Sequence, residues 1–346
     1  MKLLTIAVPA YNVEKTLSDT LESFCIDELL ESLDVIIVDD GSTDKTREIA
    51  KRFINSHPDS FRIISKKNGG HGSAVNTGIQ NAAGRYFKVV DGDDRLEEDG
   101  FRALLKHLET TDSDLVATHY KKVPVDGGNP VPMRFESVLF NRQYSFGGLP
   151  ADGSVYLGIH AVTYKTALLK DTGIRLQEHT FYVDVEYGLL PMPFVKTVEF
   201  LDVYTYLYFV GSAGQSINYD NFVKRYDHHY RVVKRMVKFA ATPGLDEAVT
   251  DYVYSVLDKL CFTHYMLSAF YDRDVKRGKK RAAEFDAWLS ASSPRLYREL
   301  GKSKYIRFLR ATRFTVLPRG KALKKAVKSV SGSLKQLFGR KGRFTY

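Results

Sequence analysis

The chain reads as an α/β protein: a mostly parallel, Rossmann-like sheet with helices on both faces, followed by a helical C-terminal region. Three observations predict this. Strand and helix signals alternate over the first 120 residues. The strand candidates are short, continuous apolar runs, the pattern of strands buried on both faces. Each of the first four ends in a polar cluster, and right-handed crossovers would bring those clusters to one edge of the sheet.

Taken in order, Leu3–Val8 is the first apolar run, and Leu17, Leu21, Phe24 and Cys25 then repeat at helical spacing. Val35–Val38 is a β-branched strand ending in Asp39-Asp40-Gly41, with Ser42-Thr43-Asp44 offering N-caps for a helix through Ile49 and Phe53. Phe61–Ser65 predicts a third strand, and Gly72–Ala83 a helix of small residues with Gly84 as its stop. Tyr86–Val90 predicts a fourth strand and Gly100–Leu108 a fourth helix. Residues 124–150 are rich in Gly and Pro and read as loops and edge strands. A strand–helix element is expected over Tyr156–Lys170. Thr197–Val210 reads as two strands with Tyr204, Tyr206 and Tyr208 on one face, and the pattern from about Asn221 onward is helical. The expected division is a catalytic domain over 1–215, a helical region over 216–300 and a basic tail over 301–346.

Bulk numbers bound the function. With 346 residues and 44% hydrophobic composition the chain can bury a large core. Two cysteines, Cys25 and Cys261, support neither a disulfide framework nor a structural zinc site, which fits a reducing, cytoplasmic setting. No signal peptide and no run of 18 apolar residues is visible. The net charge of +10 is uneven: Gly301–Tyr346 holds 14 Lys/Arg and no Asp/Glu, leaving 37 basic against 41 acidic residues in 1–300.

The strongest chemical signal is Val89-Val90-Asp91-Gly92-Asp93-Asp94, an apolar run ending in three carboxylates. Crowding that much negative charge at a strand end costs free energy unless a cation sits there, and a hard divalent ion shared with a phosphate is the natural resident. The bland alternative is a solvated acidic turn. Asp39-Asp40 reads equally as a turn with a helix cap or as an acceptor for a nucleobase N–H or ribose hydroxyl. Gly69-Gly70-His71-Gly72-Ser73 opens a helix, where backbone N–H groups can approach a phosphate; it is neither a P-loop nor a dinucleotide fingerprint. Phe181–Tyr187 sets Asp184 and Glu186 among aromatics, where a carboxylate gains basicity near neutral pH. His160 and His179 are more often packing residues than ligands.

Together these pieces resemble family 2 glycosyltransferases of the GT-A fold, over about residues 3–215. "VPAYN" (8–12), "VIIVDDGST" (35–43), "NGGHGSAVNTGIQNAAG" (68–84) and "VVDGDD" (89–94) stand in the family's order and spacing. The resemblance implies that Pro9, Ala10 and Tyr11 line a nucleotide pocket with Asp40 or Asp39 at its base. It places Lys67 and Gly70 on a nucleotide-contacting loop. Asp91, Gly92 and Asp93 become the DxD that touches ribose and metal (Mn2+ or Mg2+), with Asp94 substituting for or supporting one of the pair. The family's base is the Asp of a Glu-Asp pair; this chain departs there, reading Val183-Asp184, so Glu186 competes with Asp184. His160, Glu186, Gln215 and Ser216 are candidate contacts to acceptor or diphosphate. The implied reaction is inverting transfer from a nucleotide sugar, a UDP-sugar by preference, to a hydroxyl of a glycan or lipid-linked acceptor in bacterial surface polysaccharide or glycoconjugate synthesis.

Leu323, Ala326, Val327, Val330, Leu334, Leu337 and Phe338 follow helical spacing between lysines. That predicts a basic amphipathic helix lying on an anionic membrane surface, at the inner face where lipid-linked acceptors reside. A docked terminal helix with a solvated face is the alternative, and no nucleic-acid module accompanies the charge. Two other functions were weighed. A haloacid dehalogenase-like phosphatase would carry its acidic motif on the first strand, not the fourth. A non-catalytic scaffold retaining the fold would not need intact acidic clusters. The oligomeric state is not legible.

Overall fold

The computed structural model describes residues 2–150, 154–211 and 219–315. Its described residues fall into two compact units that divide at about residue 211, with a short stretch near 154–156 assigned to the second.

The first unit is built on one sheet. Strands β1 (Leu4–Ala10), β2 (Leu33–Asp39), β3 (Phe61–Ser65) and β4 (Tyr86–Val89) run parallel in the order β3-β2-β1-β4. Every residue of β1, β2 and β4 is buried, which is why their sequences are continuous rather than alternating. A short strand β5 (Arg95–Leu96), β6 (Leu115–Pro124), β7 (Val131–Met133), β8 (Gln143–Ser145), β9 (Val162–Lys165) and β10 (Thr197–Val210) complete a mixed sheet. Strand β9 lies antiparallel between β4 and β6, while β10 runs parallel to β6.

Seven helices accompany these strands: α1 (Leu17–Glu22), α2 (Asp27–Leu30), α3 (Thr46–Ser56), α4 (His71–Asn81), α5 (Glu98–Thr110), α6 (Thr166–Asp171) and α7 (Asp184–Leu189). Helix α4 ends at Asn81, not at Gly84. Gly84 serves a different purpose: a Cβ there would lie 2.4 Å from the Thr5 nitrogen, so the glycine lets the chain press against β1.

The segment expected to form two strands is one long strand, β10, with register irregularities between Leu201 and Tyr204 and between Tyr204 and Tyr206. Those bulges break the side-chain alternation. Tyr204 therefore meets His119, whereas Tyr206 and Tyr208 meet His160. The three tyrosines do not share a face: His119 and Tyr120 are neighbours on β6, and Tyr120 packs on the His160 side.

The described part of the second unit is helical: α8 (Tyr219–Lys224), α9 (Tyr226–Ala240), α10 (Glu247–Met266) running into a π turn over Leu267–Tyr271, α11 (Val275–Ser292), α12 (Pro294–Leu300) and α13 (Lys304–Ala311). Val232, Val233, Met236, Val253, Leu257, Cys261, Phe285 and Leu289 are buried within it. Helix α13 falls inside the span read as tail, yet it buries Tyr305, Ile306 and Leu309 and pairs Arg310 with Asp286 at 2.7 Å. The amphipathic pattern over 323–338 lies outside the described residues. No described helix is long and apolar enough to cross a membrane.

Candidate active site

The polar clusters do meet beyond the carboxyl ends of β1 to β4. Pro9 and Ala10 are buried at the end of β1, and Tyr11 emerges 51% exposed. Asn12 next to it takes a positive φ of 54° and accepts from the Thr43 N–H at 2.9 Å, tying the β1 end to the turn after β2.

Asp39 and Asp40 are both buried and both occupied. Asp39 accepts from the Ser42 N–H at 2.9 Å and pairs with Arg47. Burial works against its ionisation, but these hydrogen bonds hold its carboxyl below the usual range. Asp40 accepts from the backbone N–H of Gly69 (2.9 Å) and Gly70 (2.7 Å) and from the Lys66 ammonium (2.9 Å). Asp40 is thus the clamp that fixes the glycine loop. The lysine that reaches it is Lys66; Lys67 is exposed on the same loop.

Gly70 precedes α4 with φ +84°, a left-handed conformation that favours glycine. Its neighbour Gly72 is needed for space, since a Cβ would lie 2.3 Å from the Gln177 carbonyl. The two glycines let the chain leading to Asp184 cross directly over the loop, and the His179 N–H donates to the Gly69 carbonyl at 2.5 Å. Between them His71 points at the acidic run, its Nε2 2.7 Å from Asp91 Oδ1.

His71 is the functional candidate that sequence reasoning missed. Burial alone would lower its pKa, but Asp91, then Asp184 and Asp93, raise it above the usual imidazole value. The same contact draws Asp91 down against burial. Asp93 is pushed up to about 6 by burial and by Asp91. Asp184, the first residue of α7, is raised by burial and by Asp91 against the pull of His71. Asp91, Asp93, His71 and Asp184 therefore form one electrostatic group.

Asp94 is a different kind of residue. It is fully buried, one oxygen accepting from Tyr206 Oη (2.7 Å) and the other from the Phe209 N–H (2.8 Å), and Asp91 N–H donates to the same Tyr206 hydroxyl at 3.2 Å. Burial, Asp93 and Asp91 push its pKa well up. Gly92 has a structural reason too: a Cβ would lie 3.1 Å from the Pro9 carbonyl, and its own carbonyl accepts from Thr16 Oγ1 at 2.8 Å.

Glu186 is fully buried and accepts from the Gln177 N–H at 2.9 Å and from the Gln177 side-chain amide. Its carboxylate braces the segment before α7. Gln215 and Ser216 lie outside the described residues.

His160 stacks on Tyr208 (ring centroids 4.3 Å) and meets Tyr206 edge-on (5.0 Å). Burial drops its pKa to about 3, with Lys122 and Lys88 opposing protonation against the pull of Asp91. The fully buried Lys88 of β4 donates to the carbonyls of His160 (3.0 Å) and Val162 (3.3 Å). Ligand atoms of Asp91, Asp94 and His160 lie within 4.8 Å of one another, a donor set that a divalent cation fits.

Comparison with known proteins agrees with this geometry. Residues 5–170 match Glycosyl transferase family 2. The chain is 35% identical over 135 residues to the uncharacterized glycosyltransferase EpsJ of Bacillus subtilis, a stretch covering 39% of each protein. Among solved structures, S. aureus TarS 1–349 in complex with UDP-GlcNAc superposes with a TM-score of 0.65 at 21% identity, covering 100% of this chain and 94% of that one. The mannosyltransferase PcManGT from Pyrobaculum calidifontis, in complex with GDP-Man and Mn2+, superposes at 0.56 with 16% identity, covering 98% of this chain and 88% of that one. Strand order, the "VDDGST" and "NGGHGS" turns and the acidic run after β4 all point one way: residues 5–170 are a glycosyl transferase family 2 domain, and the first unit has the GT-A fold.

Proposed function

We propose that this protein is an inverting glycosyltransferase that moves a sugar from a UDP-sugar to a hydroxyl of a glycan or lipid-linked acceptor. The observation that carries this reading is the pairing of two acidic centres with distinct environments: Asp91–Asp94 at the end of β4, and Asp184 at the start of α7, linked electrostatically through His71. An inverting transfer needs a base on one face of the sugar and charge stabilisation of the leaving group on the other.

We assign Tyr11, at the exposed end of the Pro9-Ala10 strand, to the nucleobase, and the loop Lys66–Gly70, clamped by Asp40, to the nucleotide. Asp39 fixes the β2 turn through Ser42. Asp91 and Asp93 serve the ribose and the cation, and Asp94, held in place by Tyr206 and Phe209, adds its carboxylate beside them. These carboxylates would hold a divalent cation, Mn2+ or Mg2+, which would supply charge neutralisation for the departing diphosphate. The Mn2+-bearing mannosyltransferase and the UDP-GlcNAc-bearing TarS are similar folds that support this choice.

Asp184 takes the proton of the acceptor hydroxyl as its oxygen attacks the anomeric carbon, and the bond from that carbon to the diphosphate breaks on the opposite side. A raised pKa makes Asp184 a stronger base than an ordinary carboxylate. Glu186, tied to Gln177, is not available for this step. The basic segment beyond residue 315 would hold the enzyme peripherally at the inner membrane face, near lipid-linked acceptors.

A panel of nucleotide sugars, scored for Mn2+- or Mg2+-dependent release of nucleotide, tests the reading. Turnover is expected with a UDP-sugar, and Asp184→Asn should abolish it while leaving UDP binding nearly intact. Full turnover in Asp184→Asn, or no turnover with any donor, would overturn it.

A further inference from the structure

Two aspartates at a strand end explain a metal–diphosphate site on their own. They do not explain why a histidine is built into the same spot at evident cost. His160 packs against β6 and β10, where three tyrosines surround it: Tyr208 stacked at 4.3 Å, Tyr206 at 5.0 Å and Tyr120 at 5.2 Å. Its backbone is fixed as well as its ring. Lys88, a fully buried lysine on the central strand β4, spends its ammonium on the His160 and Val162 carbonyls. Burying an ammonium that bonds only neutral oxygens is expensive. The expense secures the position of the residues beside Asp91 and Asp94.

We propose that His160 is a nitrogen ligand of the cation held at the Asp91–Asp94 carboxylates, making the centre a mixed nitrogen–oxygen site rather than an all-oxygen one. The ligand atoms are already within 4.8 Å of one another. Asp94 keeps its place through Tyr206 and Phe209, and Tyr206 also packs against His160, so one side chain orients two of the three groups.

The chemical consequence is selectivity. An imidazole ligand strengthens binding of the first-row transition ions, least for Mn2+ and more for Co2+ and Zn2+, whereas Mg2+ prefers oxygen ligands and keeps its water. The site should therefore favour the transition ions over Mg2+ by more than carboxylates alone would. This inference rests on the proposed metal-assisted transfer for its meaning, but not for its test.

The test is electron spin-echo spectroscopy on the full chain loaded with Mn2+, alone and with UDP. Wild type is expected to show nitrogen coupling to the Mn2+ that changes when histidine is labelled with 15N, which separates protein imidazole from nucleotide nitrogen. His160→Phe, which keeps an aromatic ring against Tyr208, should lose that coupling; His71→Asn should retain it. Changes in outer-shell partners alone cost about 10–100-fold in metal affinity, so His160→Phe should weaken Mn2+ binding by at least about tenfold and narrow its preference over Mg2+. No histidine coupling in wild type, or coupling that disappears with His71→Asn and survives His160→Phe, would overturn the assignment. Mn2+ bound without nitrogen coupling in a chain that still transfers sugar sinks this inference and leaves the proposed function standing. Nitrogen-coupled Mn2+ in a chain that transfers no sugar does the reverse.

Discussion

Replacing Asp93 by Asn should stabilise the metal-free protein, and the gain should depend on pH in a particular way. Asp93 is pushed from the ordinary carboxylate range up to about 6 by burial and by Asp91. Its folded pKa thus lies about two units above its unfolded value. Between the two values the folded state binds more protons than the unfolded one, so stability falls as pH rises through that window. Two units correspond to about 3 kcal/mol at full effect. Asp93 is only partly buried and solvent screens it, so about 1–2 kcal/mol at pH 8 is the reasonable expectation. Asparagine has no charge to lose. The gain of Asp93→Asn over wild type should be near zero at pH 4, appear between pH 4 and 7, and level off above. The assay is thermal melting of both proteins with chelator present across this range, read as a difference in Tm of a few degrees. Adding Mn2+ should raise the wild-type Tm and raise the variant's less. A variant less stable than wild type at pH 8, or one equally stabilised at pH 4 and pH 8, would refute the claim that Asp93 carries uncompensated charge.

Two further outcomes follow from the same geometry. Tyr206→Phe removes the hydroxyl that donates to Asp94 at 2.7 Å, leaving one buried carboxyl oxygen without its partner; an unsatisfied buried polar atom costs about 1–3 kcal/mol, so chemical denaturation should show a loss of that order, and a change under about 0.5 kcal/mol would mean Asp94 is not held this way. Removing residues 316–346 deletes nine Lys/Arg while sparing the docked helix α13; sedimentation with anionic liposomes should lose binding that neutral liposomes never supported, and unchanged binding would remove the tail from the membrane reading.

What the sequence revealed follows from which physical signals are local. Strands β1, β2 and β4 were legible because burial on both faces forces unbroken apolar runs, and their polar ends were legible because parallel strands share one carboxyl edge. The faces of Tyr204, Tyr206 and Tyr208 were not, because the alternation depends on a bulge set by pairing with β6 that no local pattern announces. His71 was visible as a letter inside "NGGHGS", but its meaning required knowing that Gly70 and Gly72 let the chain from 177 to 184 pass over it. Lys88 did carry a signal, a lysine in the middle of an otherwise apolar strand, and it went unread. The different surroundings of Asp184 and Glu186 were beyond sequence reasoning because the partner of Glu186 is Gln177, nine residues upstream.

The three carboxylates at the end of β4 are therefore not equivalent, and their differences order the site. Asp94 is fixed in position: two donors hold it and it anchors β10 to the acidic turn. Asp91 has a histidine to neutralise it on one side. Asp93 and Asp184 feel His71 only through space, and burial and the Asp91 charge raise both in pKa. Free energy is thus stored where ligands must arrive, in the carboxylate that would face the incoming cation and in the one that would face the acceptor hydroxyl. A cation at Asp93 relieves repulsion on Asp91, which in turn weakens one of the influences that raise Asp184. Donor loading should then lower the basicity of Asp184 modestly rather than raise it. The acidic limb of kcat should accordingly lie below that of kcat/KM, whereas a base set by its local apolar surroundings alone would give the same limb in both.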